Sequence, residues 1–397
     1  MTLDVDKIRA ETPGIRHGAH LLACGSALMP QCVVDAVVEH TKLEAEIGGY
    51  EAQEAQAALL ESVYDDVAQL INAKPREIAL VENATVAWMH AFYALQFEPG
   101  DRVITCEAEY GSNFVSFLQR AKRDGIEIDV CPSDEHGVID LEAMDALIGP
   151  RTKLIAITWI PTNGGLMNPA AKIGALAKAH DVPYLLDGCQ AIGQTPVDVA
   201  ALGCDFFSAT GRKFLRGPRG TGFLYVAEKW LETLEPAMID FFGATWTAPD
   251  AYALRDDARR FENWENAYAL RAGLGVAARY ALDVGGEAIA ARAFALAERF
   301  RAGLADIPGA VLRDRGHLAG VDRCASVSFT IADLEPAATV AALRTKGLAI
   351  GTSSKEGALL DATARNLPLL LRAAPHYYNT EDEIDLLLNE LAALTKT

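Results

Sequence analysis

Basic residues are scarce in this sequence of 397 residues: 36 Lys and Arg face 54 Asp and Glu, a formal net charge of -18. That balance argues against nucleic acid or an anionic membrane as the main partner. Cysteine is sparse too. Cys24, Cys32, Cys106, Cys131, Cys189, Cys204 and Cys324 are scattered, odd in number and free of any CxxC pair. They suit a reducing compartment and offer neither a disulfide framework nor a metal site. Long apolar runs are missing as well. The opening stretch MTLDVDKIRAETPGIR is charged and has no apolar signal core, and no segment is long enough to span a bilayer, so a cytoplasmic location is expected. There is no internal repeat and no low-complexity tract. What is present is half hydrophobic, with enough length for two domains and a large core.

The apolar segments alternate between strand-like and helix-like patterns. EIALV at Glu77–Val81, RVITC at Arg102–Cys106, Ile126–Val130, KLIAITWI at Lys153–Ile160 and Pro183–Leu186 read as strands, the fourth so continuously apolar that both faces must be covered. Helical patterns lie between them, and Asn83 is placed to cap the helix that follows Val81. Cys32–Leu43 and Glu51–Ile71 are also helical, separated by Gly48-Gly49-Tyr50. This alternation predicts a doubly wound α/β domain that binds ligands beyond the carboxyl ends of its strands. Asn83, Tyr110, Asn163, Asp187, Gln190 and Lys213 all fall at such ends.

Phe206–Val226, FFSATGRKFLRGPRGTGFLYV, predicts two buried strands joined by a glycine-rich loop. Lys213 sits in that loop. A lysine held there sheds its proton more readily and can form a Schiff base with an aldehyde. The stretch from Trp230 to Glu265 reads as irregular and aromatic, suited to a subunit or domain seam. Ala267–Ala305 reads as helix, Ser326–Ile331 and Pro368–Arg372 as strands, and Thr380 with Glu383 as a capping box.

DGCQ at Asp187–Gln190, followed by TGRK at Thr210–Lys213 and a glycine-rich loop, resembles the class V aminotransferase family. The resemblance runs from HLLACGSALMP to LRAAPHYYNTEDEID. That family comprises fold-type I enzymes dependent on pyridoxal 5'-phosphate (PLP), among them cysteine desulfurases, isopenicillin N epimerase and hercynylcysteine sulfoxide lyase. The resemblance implies a large PLP-binding α/β domain over residues 18–265 and a small α+β domain from 1–17 and 266–397. It implies that Lys213 carries the cofactor and moves the Cα proton, that Asp187 pairs with the pyridine nitrogen and that Gln190 bonds the ring hydroxyl oxygen. Tyr110 would stack on the ring where many relatives place a His. Ala84, Thr85, Thr210 and Arg212 would cradle the phosphate. Asn163 would lie near the ring oxygen and the substrate carboxylate, Arg372 would clamp that carboxylate, and Tyr50 would be a further substrate contact.

Two departures bear on function. Relatives pass a Gly-Thr-Pro stretch to the partner's phosphate, whereas this chain reads Phe261-Glu262-Asn263-Trp264-Glu265-Asn266. Desulfurases carry a nucleophilic Cys before the arginine strand, and residues 351–357 contain none. The resemblance therefore implies a homodimer acting on an amino acid, with its site near the subunit seam. The expected reaction is β-elimination from an S-substituted cysteine or its sulfoxide. An aminotransferase or epimerase is the alternative, and a non-catalytic PLP-fold binder the contrasting class.

Overall fold

A computed structural model describes residues 3–315 and 322–396. Its centre is a seven-stranded sheet of β1 (Ile78–Val81), β2 (Arg102–Cys106), β3 (Glu127–Cys131), β4 (Thr152–Thr158), β5 (Tyr184–Asp187), β6 (Phe206–Thr210) and β7 (Gly222–Val226). Their order is β1-β7-β6-β5-β4-β2-β3, and all run parallel except β7, which is antiparallel to both its neighbours. The expected doubly wound, mostly parallel fold is observed.

Side chains alternate across a strand, and here both sides are apolar. Ile155 and Ile157 of β4 face one core with Ile104, Leu186 and Phe207, while Leu154 and Ala156 face another with Val103, Leu185 and Phe206. Each such side chain removed from water contributes about 1.5–3 kcal/mol before ordering costs. On the second face the helix Ala84–Ala94 packs with Trp88 and Phe92 buried. Asn83 caps it, its side chain accepting from the Val86 N–H at 3.0 Å. Gly222 permits this approach, because a Cβ there would stand 2.5 Å from the Ala209 carbonyl oxygen and 2.8 Å from Asn83.

The chain passes from β2 outward to β3 and then back across β2 to β4. The loops leaving β2 and β4 therefore part company, opening a crevice at the carboxyl ends of these strands.

A second sheet is antiparallel throughout, in the order Ala310–Leu312, Val327–Ile331, Leu370–Ala373, Gly351–Ser353. Helices Gly286–Leu304 and Pro336–Thr345 pack against it, and Glu381–Leu394, starting at the predicted capping box, packs on the first of these. Ala19–His20 pairs in parallel with Leu348–Ala349, tying the start of the chain to this sheet. We propose the division into 18–265 and 1–17 with 266–397 on the ground of the two separate sheets; the pairing of Ala19–His20 crosses it, and 1–2, 316–321 and 397 lie outside the described residues. Among the described residues no helix is long and apolar enough to cross a membrane.

One expectation is corrected. The stretch from 230 to 265 is not wholly irregular but contains a β-hairpin, Ala244–Ala248 paired with Ala251–Leu254. Its residues are mostly exposed, so no continuous apolar run marked it. The signal was the alternation of Thr and aromatics around Pro249-Asp250. Likewise Gly49–Ala55 is helical, and the hinge is confined to Gly48, with φ at 99°.

Candidate active site

A cavity of about 420 Å³ opens at the carboxyl ends of the parallel strands, and its wall includes Ala84, Thr85, Tyr110, Asp187, Gln190 and Lys213, with Thr210 and Arg212 beside them. Asn163 and Arg372 stand one layer back, behind the wall residue Thr162. Tyr50 is 70% exposed and does not belong to the wall.

Asp187 ends β5 and is buried. Its Oδ1 accepts from the Cys189 N–H at 2.9 Å and its Oδ2 from the Asn113 side-chain amide at 2.9 Å. Burial raises its pKa, opposed by those two bonds and by the charge of Lys213. The turn after it needs Gly188, since a Cβ there would meet the Phe207 ring at 1.8 Å. Gln190 donates to the Cys24 carbonyl at 3.2 Å, and its own Oε1 is buried without a partner.

Lys213 is buried in the loop after β6, which folds back through Gly217 N–H to Gly211 O at 2.8 Å and Arg216 N–H to Lys213 O at 3.0 Å. Its amine reaches the Cys189 thiol. Arg212 donates to the Gly25 carbonyl, bringing residues 24–27 against the same mouth. The N–H groups of Ala84 and Thr85 belong to the first helical turn, which has no intrahelical acceptors, so this corner favours an anion. The Thr210 hydroxyl donates to the Thr221 carbonyl at 3.2 Å.

Arg372 lies on its strand opposite Gly351. Its Nη1 donates to Thr162 Oγ1 at 2.7 Å and to Thr162 O at 3.2 Å, while Nε is buried without a partner. Asn163 is buried, and its Oδ1 accepts from Ser353.

Sequence reasoning missed Asn113, Thr158, Thr162 and Cys189 in the wall and Glu109 behind it. Glu109 is 3% exposed and accepts from Asn113 at 2.8 Å, Thr105 at 3.0 Å, Tyr110 N–H at 3.0 Å, Thr158 N–H at 3.0 Å and the Thr158 hydroxyl at 2.5 Å. Burial pushes its pKa up to about 7. Its position between Cys106 and Tyr110, directly past a strand end, was the available signal.

This geometry can be compared with known proteins. The aminotransferase class-V family profile matches residues 19–387. A probable cysteine desulfurase of Methanothermobacter thermautotrophicus is 30% identical, over 98% of this chain and 98% of its own length. A cysteine desulfurase of Serratia proteamaculans is 31% identical over 100% of this chain and 99% of its own. Among solved structures, an apo cysteine desulfurase from Thermococcus onnurineus superposes with a TM-score of 0.91 at 24% identity, covering 100% and 99% of the two chains. A cystine C-S lyase complexed with cysteine persulfide superposes at 0.84 and 24% identity, covering 96% and 99%. Those structural likenesses concern the fold.

Proposed function

The chain belongs to the aminotransferase class-V family, and on that premise we propose that it is a PLP-dependent carbon–sulfur lyase acting by β-elimination on a cysteine-derived amino acid, such as an S-substituted cysteine or its sulfoxide. The observation that carries this reading is a buried Lys213 in one cavity wall with Asp187, with the cysteine-free segment 351–357 packed on the wall residue Thr162.

The donor set suits the cofactor. An anion-favouring helix start and Arg212 would hold the phosphate, with Thr210 beside them. Asp187 would hold the proton of the pyridine nitrogen, the unpartnered end of Gln190 would meet a polar ring substituent, and Tyr110 would cover the ring. When bound, PLP supplies an electron sink for the pair left at the substrate Cα. Lys213 takes that Cα proton and returns one to the departing group. Arg372, behind Thr162, has one nitrogen held by it and an unpartnered Nε, and would orient the substrate carboxylate, with Asn163 as a further proposed contact. Tyr50, exposed and outside the cavity wall, is the proposed substrate contact that the wall does not include. A homodimer with the site near its seam fits the exposed aromatics Trp246, Tyr252 and Trp264 of the 230–265 stretch.

With the Cα proton removed, loss of a sulfur leaving group from Cβ gives aminoacrylate, which hydrolyses to pyruvate and ammonia. The named relatives point to a second reading, desulfuration, which needs an accessible thiolate as sulfur acceptor. Cys24, Cys106, Cys131, Cys204 and Cys324 are buried, and burial raises the Cys324 thiol to about 11. Cys32 is exposed but lines a different hollow, with Glu11 and Tyr280. Cys189 is in the cavity wall, with burial raising its pKa and its position fixed by the turn after β5. The segment 351–357 offers Ser353, at a strand end, and Ser354, whose hydroxyls are poor sulfur acceptors.

Product analysis with S-substituted cysteines and their sulfoxides tests the reading. Pyruvate, ammonia and the released sulfur fragment are expected. Alanine with a persulfide on Cys189 or another cysteine would establish desulfuration instead. Keto-acid-dependent amino transfer or loss of Cα chirality would mark an aminotransferase or epimerase.

A further inference from the structure

Behind the cavity floor lies a second buried carboxylate that the chemistry above leaves unused. Glu109 follows β2, Thr158 ends β4 and Asp187 ends β5, so three strands deliver one layer of polar groups. Asn113, in the first turn of the helix Gly111–Asp124, spans the two acids with a single amide nitrogen: 2.8 Å to Glu109 Oε1 and 2.9 Å to Asp187 Oδ2. We propose that Glu109 is a positioning residue for the cofactor, acting through Asn113 to aim Asp187 and through the Tyr110 N–H to fix the ring-covering side chain.

The hydrogen bonds argue for this role. Every partner of Glu109 named above is a donor, so the set matches a carboxylate that only accepts. Five donors leave it no freedom to turn. Its Oε1 holds Asn113 so that the amide NH2, and not the carbonyl, faces Asp187. Without that bond the amide could invert and set two acceptors against each other. Asp187 is then held by one donor on each oxygen, with its remaining lone pairs available to the cavity. The charge of Asp187 in turn adds to burial in raising the proton affinity of Glu109. Cys106 and Tyr184 are the other titratable groups near Glu109, and burial raises both, keeping them neutral. Tyr110 enters by the same anchor: its N–H lies 3.0 Å from Glu109 Oε1 and 3.2 Å from Thr158 Oγ1.

This inference rests on the PLP reading of the site, and its test separates the two. Wild-type protein, Glu109→Gln, Glu109→Asp and Asn113→Ala are reconstituted with PLP labelled at the ring nitrogen with 15N. Cofactor affinity and the 15N shift are measured alongside kcat and KM. Wild type should bind PLP with a protonated ring nitrogen. Glu109→Gln keeps the shape but turns an acceptor into a donor, and Asn113→Ala removes the bridge. Both should weaken PLP roughly ten- to hundredfold, the scale seen when the outer partner of a ligating group is lost. Both should move the 15N signal toward unprotonated pyridine and lower kcat more than they raise KM. Glu109→Asp should recover part of the shift. Should Glu109→Gln fail to fold, Asn113→Ala, which removes one bridging amide, gives the same readouts. Wild-type affinity and 15N shift in a folded Glu109→Gln or Asn113→Ala protein would overturn the inference. Wild-type protein that takes up no PLP would instead fell the functional reading, and the inference with it.

Discussion

Two arginines, Arg216 and Arg372, are drawn into the protein by different means. Arg216 is 1% exposed, and all of its edges are occupied: Nε donates to Leu28 O at 2.8 Å, Nη1 to the Tyr377 hydroxyl at 2.8 Å and Nη2 to Thr12 at 2.6 Å. The rings of Tyr378 and Tyr377 lie 4.8 and 5.0 Å from its guanidinium carbon. Arg372 has one nitrogen engaged by Thr162 and a buried Nε with no partner. A cation whose three nitrogens each have an acceptor joins parts of the chain, here residues 12, 28, 216 and 377 from both proposed domains. A cation left incomplete in a buried place keeps donors for something else. The difference predicts that one residue governs folding and the other catalysis.

The largest expected effect breaks the comparison at Arg216. Arg216→Met removes the cation and strands Leu28 O, Thr12 and Tyr377, so unfolding in urea should require about 3–5 kcal/mol less. A loss below about 1 kcal/mol would show that the joint does not depend on this residue.

At Arg372 the outcome should reverse. Arg372→Lys keeps the charge and loses the fork of donors, so kcat/KM should fall by about 1.5–3 kcal/mol, roughly ten- to 150-fold. Thermal stability and PLP affinity should hold, because the free edge serves the substrate. Unchanged kinetics would remove Arg372 from the site.

His376 sharpens the contrast through pH. Its Nε2–H donates to Phe214 O at 2.7 Å, and Nδ1 is buried without a partner. Burial and the neighbouring charges of Arg216 and His20 lower its pKa to about 3, against 6.5 in the unfolded chain. Between those values the unfolded chain binds the extra proton, so this stabilising contribution is full above about pH 6.5 and is lost as pH falls toward 3. At pH 5 the loss amounts to about 2 kcal/mol. His376→Gln should flatten the acid limb of a stability–pH curve measured with urea. An equally steep limb in the variant would place the acid sensitivity elsewhere.

The same contrast explains how much was legible in the sequence. The strands were, because both faces of the sheet are buried and KLIAITWI can be little else. Asp187, Gln190 and Lys213 were visible because each lies in a short local pattern at a strand end. Glu109 and Asn113 were not. Their bonds to Thr158 and Asp187 arise only when β2, β4 and β5 come together, and the place of Glu109 past a strand end does not by itself distinguish a buried acceptor from a surface acid. Arg216, in the same loop as Lys213, carried no sign that Thr12 and Tyr377 would meet it. The exposed hairpin at 244–254 escaped because it buries too little to leave an apolar run.

The smallest expected effect lies on the ligand side of the comparison, at Ser353. Its strand pairs with that of Arg372, Ser353 lying across from Leu370. The Ser353 hydroxyl donates to Asn163 Oδ1 at 2.5 Å, where both side chains are buried. Asn163 follows Thr162, the residue that holds one edge of Arg372. The hydroxyl therefore fixes the amide of the residue next to Thr162, which holds Arg372. Ser353→Ala leaves the strand intact and strands one acceptor, a loss of about 0.5–1.5 kcal/mol. If the bond serves the site, that loss should appear as a three- to tenfold fall in kcat/KM, at about 1.4 kcal/mol per tenfold, with little change in urea stability. If it serves the fold, the melt should move and the kinetics should not. The second outcome would place Ser353 with Arg216, among the groups that join the chain, and leave Arg372 supported by Thr162 alone.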